Sequence, residues 1–156
     1  MIMKKILITN LLFFLLLSCG FAPIYSSNKK INFYIESINF KNSDKELSNF
    51  IKSNLNNYLL DNNEKKFKIE ATINYNKNSI SKNSRGNTEE YEISSISTFR
   101  IFQGELNKTI QFKDVNIMKN FADEFEEMQY EKNVKKGMAR SISSRLLMQL
   151  STINAN

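Results

Sequence analysis

Cys19 is the only cysteine in the 156 residues, and it follows an apolar run directly, in Leu16-Leu17-Ser18-Cys19-Gly20. With no second thiol it has no disulfide partner in the chain. The residues before it form a secretory signal: Lys4 and Lys5 at the start, an apolar segment from Ile6 to Leu17, and the small residue Ser18 just before the exit. That segment is too short to span a bilayer, which takes ~20 residues at 1.5 Å rise each. Export is therefore expected, with residues 1–18 removed. The other side chains suited to recognition are the arginines Arg85, Arg100, Arg140 and Arg145. Lys, Asn and Ile are abundant together, as in an AT-rich genome, so many lysines carry no information. A guanidinium is less easily attributed to codon drift, and only it offers a planar fork to phosphate or carboxylate.

Catalytic groupings are missing from the sequence. There is no histidine, which removes the usual general base near neutral pH and the commonest metal ligand. Glu89 and Glu90 fall on opposite faces of a strand, and Glu126 and Glu127 are helix neighbours that do not face each other, so neither pair makes a two-carboxylate site. None of the four glycines is spaced as a phosphate loop. The expectation is a protein that is not an enzyme, with no metal, no cofactor and no nucleic-acid partner.

Cleavage after Ser18 leaves 138 residues with a formal charge of +4, enough for one domain with its own core. Residues 19–30, which hold the only proline, read as a tether, and residues 31–156 as a single domain. Ile31 to Phe40 suits a first strand. Ser43 and Glu46 have the spacing of a capping box. Behind them Leu47, Phe50, Ile51, Leu55, Tyr58 and Leu59 give a helix to about Leu60 one apolar face. Phe67, Ile69, Ala71, Ile73 and Tyr75 alternate with polar residues, the mark of a strand with one dry face. Residues 77–88 are rich in Asn, Ser and Lys and read as a projecting loop turning at Arg85-Gly86-Asn87. Strands follow from about Glu89 to Phe102 and from about Lys108 to Met118. In the latter, Val115 and Ile117 leave the face held by Ile110 and Phe112, which predicts a bulge or a sheet edge. Val134, Met138, Ala139, Ile142, Leu146, Leu150 and Ile153 predict a closing helix of about 20 residues, weakened at Gly137. Arg140 and Arg145, beside this stripe, are expected to pair with Glu131 or with the acidic run Asp123 to Glu127. The order β-α-β-β-β-α predicts an α+β fold, with two helices packed on one face of a four-stranded, mostly antiparallel sheet.

Two resemblances carry a function. Leu16, Leu17, Ser18 and Cys19 resemble the lipoprotein box of bacterial lipoproteins, which implies a lipid on the Cys19 sulfur and an acylated amino terminus. Several acyl chains, at ~0.8 kcal/mol per buried CH2, hold a protein stably at a membrane. Gly20 replaces the acidic residue that commonly retains such proteins at the inner membrane, which implies delivery to the outer membrane. Further, Cys19-Gly20-Phe21-Ala22-Pro23-Ile24-Tyr25 is similar to the signature Cys-Gly-Phe-x-Pro-Leu-Tyr of the LPS-assembly lipoprotein LptE family, alphaproteobacterial branch. Phe121-Ala122, followed by Ala139-Arg140-Ser141-Ile142 and Arg145-Leu146, resembles a second segment of that family. Ile24 and Gly137-Met138 depart from it.

The LptE resemblance implies an outer-membrane lipoprotein that plugs an LptD-like β-barrel and binds lipopolysaccharide (LPS). A phosphorylated, acylated glycolipid calls for cations beside apolar surface. The candidates are Lys77, Lys82 and Arg85 on the projecting loop, with Arg100 and Lys108 near the other hairpin. Rival expectations are an auxiliary lipoprotein subunit of an ABC-type lipid transporter, a free-standing envelope-binding module, and, least, a Ser–Lys hydrolase.

Overall fold

The computed structural model describes residues 33–59 and 66–155; the signal, Cys19 and the tether lie outside them. The chain forms β1 (Tyr34–Phe40), α1 (Lys45–Leu55) with a 3-10 turn (Asn56–Tyr58), β2 (Lys66–Lys82), β3 (Thr88–Gln103), β4 (Leu106–Lys119) and α2 (Glu124–Ala155). The strands lie in the order β1-β2-β3-β4; β1 pairs parallel with β2, and the other pairs are antiparallel. Parallel neighbours need a crossover, and α1 supplies it. Fold class, element order and the four-stranded sheet agree with the expectation from sequence.

One face of the sheet makes the core. Phe67, Ile69, Ala71 and Ile73 of β2 and Ile93, Phe99 and Ile101 of β3 are buried against Leu47, Ile51 and Leu55 of α1 and Met138, Ala139, Ile142, Leu146 and Leu150 of α2. The opposite face is mainly polar, with Gln111 donating to Thr98 and Glu70 lying opposite Arg100, but it also carries Ile96, Val115 and Ile117. A two-period pattern on the strands and a helical one on α1 and the second half of α2 thus meet in a single apolar layer.

Four expectations are corrected, on the cap of α1, the loop at residues 77–82 and the lengths of the two helices, and a fifth, a bulge or a sheet edge in β4, is met as the edge. The cap of α1 is Asp44, whose Oδ1 accepts from the Leu47 N–H at 2.7 Å. Ser43 is recruited by the sheet instead: its hydroxyl accepts from the Ile73 N–H and donates to the Lys41 carbonyl, continuing the lane of β1 along β2. Glu46 likewise leaves the box for Lys135, at 3.1 Å. Asp44→Ala is therefore expected to cost about 1 kcal/mol in a denaturant titration, and Asp44→Ser to restore most of it. An Asp44→Ala protein as stable as the parent would contradict the assignment.

Residues 77–82, expected in a loop, continue β2. The ladder to β3 runs as far as Lys82, because backbone pairing with an existing neighbour does not require apolar side chains. The turn shrinks to Asn83–Asn87, where Asn83 Oδ1 accepts from the N–H groups of Arg85 and Asn87. Gly86 takes the left-handed φ of 82° that the tight turn needs. In β4 there is no bulge: the register with β3 is unbroken from Gln103–Leu106 to Glu90–Lys119. β4 is the sheet edge, and Val115 and Ile117 (62% exposed) face away from the helices. Finally, α2 is 32 residues long and starts at Glu124, well before the apolar stripe. α1, conversely, gives way to the 3-10 turn after Leu55.

Candidate interaction site

The early start of α2 rests on a polar network that no hydropathy pattern reveals. Glu127, Glu131 and Lys135 recur every four residues along the inward stripe of α2. Lys77 of β2 reaches Glu127 at 2.6 Å and Glu131 at 3.0 Å, and the Tyr75 hydroxyl donates to Glu131 at 2.7 Å. Lys135 lies 3.1 Å from Glu46, 3.7 Å from Asp44 and 3.7 Å from Glu131, and 4.2 Å from the centre of the Tyr75 ring. The network thus ties β2, the start of α1 and the start of α2 together.

The titrations follow from the partners. Burial pushes the Tyr75 phenol well above its ordinary range, and the Glu131 carboxylate beside it adds to this. For Glu131, burial works upward, but the hydrogen bonds from Tyr75 and Lys77, with the charges of Lys77 and Lys135, outweigh it and hold the carboxyl below the usual range. For Lys77, burial works downward and is outweighed by Glu127 and Glu131, so the ammonium sits above the ordinary lysine value.

The five candidate cations do not converge. Lys77 is on the helix-covered face, 23% exposed, engaged with two carboxylates and 4.5 Å from the centre of the Tyr91 ring. Lys82 ends β2 and Arg85 sits in the following turn, both exposed and without an ion pair among the described residues. Arg100 and Lys108 lie near the far end of the sheet; twelve residues of β3 separate Thr88 from Arg100, roughly 40 Å at strand rise. Arg100 stands opposite Glu70 on the open face, 3.8 Å from its carboxylate, whereas Lys108 stands opposite Ile101 on the core side. Glu70 is also held by Lys41 at 2.7 Å, which with Arg100 keeps its carboxyl below the usual range. Arg145 pairs with Asp114 of β4, and its guanidinium lies over the Phe112 ring, 4.7 Å from its centre. Its partner is therefore neither Glu131 nor the acidic run. Arg140 is exposed, with no ion pair among the described residues.

What the structure does bring together is the tip of the β2–β3 hairpin. This end of the hairpin carries the exposed Lys82 and Arg85 and also Ile80, which is 49% exposed and which the register slip between Ser79 and Ser81 leaves outside the ladder to β3. Two exposed cations and an exposed apolar side chain on one hairpin end suit an anionic group attached to hydrocarbon. The sequence pointed to Lys82 and Arg85; Ile80 was hidden because a bulge leaves no mark in composition. Among the described residues there is no grouping of acidic or sulfur ligands fit for a metal.

No protein-family model matches the chain, and no curated protein matches it either. Solved structures do. The chain is similar to the rare lipoprotein B of Shewanella oneidensis at a TM-score of 0.60 and 16% identity, over 79% of this chain and 97% of that one. A lipoprotein B from Nitrosomonas europaea superimposes at a TM-score of 0.57 and 13% identity, over 80% and 84% of the two chains. A minor lipoprotein from Acinetobacter baumannii does so at 0.53 and 12%, over 76% and 92%. The chain has the fold of these bacterial lipoproteins.

Proposed function

We propose that this protein is an outer-membrane lipoprotein of the LptE type, anchored by acyl chains on Cys19 at the periplasmic side. In this reading it is not an enzyme. It docks as the plug of an LptD-like β-barrel and helps deliver LPS to the outer leaflet. The reading is carried by the coincidence of the Cys19-Gly20-Phe21-Ala22-Pro23-Ile24-Tyr25 segment with a fold shared by several lipoproteins. A two-layer body with one mainly polar sheet face is suited to a barrel lumen, whose wall is polar.

Lys82 and Arg85, with Ile80 on the same hairpin end, are the proposed glycolipid contact. Lys77 stays within the network that secures α2, and Arg100 and Lys108 lie too far away to share a headgroup with the hairpin tip. Replacing Lys82 and Arg85 together by Glu is expected to weaken LPS binding about tenfold or more at low salt, and less at high salt. The circular-dichroism melting curve should be unchanged, since both side chains are exposed. LPS binding equal to that of the parent would remove the hairpin tip from the proposal.

A further inference from the structure

The two halves of α2 are held by different chemistry. Residues 138–155 bury Met138, Ala139, Ile142, Leu146 and Leu150. In residues 124–136 the inward side chains are Glu127, Glu131, Val134 and Lys135, and only Val134 is apolar. Phe125 and Met128 point elsewhere, 63% and 56% exposed, and Tyr130, 43% exposed, packs its ring on Phe121 just ahead of the helix, 5.2 Å between ring centres. Hydrogen bonds and ion pairs are exchanged for water at small net cost, whereas exposing an apolar stripe is not. The first half is thus the weaker attachment.

Gly137 stands at the boundary. A Cβ there would meet nothing within 4 Å, so packing gives no reason for a glycine, and its effect is to weaken the helix between the two halves. Beside the first half there is also room. α1 begins only at Lys45, and ahead of it a depression of about 390 Å³ opens among Glu46, Lys77, Glu124, Glu127, Met128 and Glu131.

We propose that residues 124–136 form a strap that lifts from the sheet about Gly137 while residues 138–155 stay docked, with Lys77 and Tyr75 as its latch. Lifting uncovers the sheet surface around Ile93 and Met118. Ile93 pairs in register with Lys77, and Met118 with Tyr91, whose ring lies under the Lys77 ammonium; both are fully buried in the closed form. The strap is a property of the fold and does not depend on the proposed partner or ligand.

Thiol labelling of the full chain, read by peptide mass so that Cys19 is counted separately, tests this with Ile93→Cys beneath the strap and Ile101→Cys at the other end of β3. Ile93→Cys is expected to label at least about tenfold faster than Ile101→Cys, with a rate nearly flat in low urea, because local opening exposes little surface. Ile101→Cys should rise steeply with urea, as global unfolding does. Lys77→Met should speed Ile93→Cys further, again by about tenfold, and Gly137→Ala should slow it severalfold. Equal rates and equal urea slopes at the two positions would overturn the strap. An effect of neither Lys77→Met nor Gly137→Ala would overturn its latch and hinge. Should Ile93→Cys fail to fold, Met118→Cys reads the same opening.

Discussion

Glu131→Ala is expected to destabilise the fold by about 2–4 kcal/mol, somewhat under the 3–5 kcal/mol of breaking a wholly buried ion pair. The carboxylate is 21% exposed and serves Tyr75, Lys77 and Lys135 at once. Its loss leaves Lys77 with Glu127 alone and the Tyr75 hydroxyl without an acceptor, while Lys135, only 10% exposed, keeps Asp44 and Glu46. Denaturant midpoints measure the loss, and a change under 0.5 kcal/mol, the size of an ordinary surface substitution, would show that the network is ornamental.

The pH dependence has a definite sign. Because Glu131 titrates lower in the fold than in the unfolded chain, its contribution is present above the ordinary carboxylate value near 4.5 and is lost as pH falls through the lowered one. Lys77, raised in the fold, contributes fully below the ordinary lysine value near 10.5 and loses that contribution as pH climbs past the raised one. Glu131→Gln retains an acceptor for Tyr75 but no charge. It should flatten the acid limb of the stability curve below about pH 4.5 and leave the slope between pH 6 and 8 unchanged. An acid limb as steep as the parent's would place the titration elsewhere.

The larger effect concerns location. Cys19→Ser removes the sulfur to which the lipid is expected to attach, and no helix among the described residues is long and apolar enough to cross a membrane. At ~0.8 kcal/mol for each buried CH2, losing the chains lowers the ratio of bound to free protein by several orders of magnitude. Fractionation should move the protein from the envelope pellet to the soluble periplasmic fraction. A Cys19→Ser protein that still pellets, and resists high salt, would mean that something other than acyl chains holds it.

Much of this fold is legible in the sequence, and the failures share a cause. The alternation from Phe67 to Tyr75 and the helical spacing from Met138 to Leu150 identify β2 and the second half of α2 because those segments bury apolar side chains at a fixed period. Where the structure is held by polar partners, hydropathy is silent. Residues 77–82 look like a loop because Asn, Ser and Lys dominate, yet β3 supplies their backbone partners. Residues 124–133 carry no apolar stripe, yet Tyr75 and Lys77 hold them from a strand some fifty residues away in sequence. The i, i+4 repeat of Glu127, Glu131 and Lys135 was there to be read, but its partners on β2 emerge only with the tertiary fold.

The candidate site was legible to a similar degree. Lys82 and Arg85 stand out as cations near a turn, and both remain exposed there. Lys77 looked equivalent in a stretch read as loop; in a strand its odd position turns it toward α2, and its charge is consumed by two carboxylates. Arg100 and Lys108, neighbours through the β3–β4 hairpin, stand on opposite faces because residues directly opposite in an antiparallel pair share a face, and the partner of Lys108 is Ile101, one residue beyond Arg100.

The most direct test of the docking role is recovery of the tagged, full-length protein from a detergent-solubilised envelope, with its companions identified by mass. The account predicts an abundant outer-membrane β-barrel at near-equal stoichiometry, retained through a high-salt wash. Recovery with inner-membrane transporter subunits, or with no barrel at all, would contradict it.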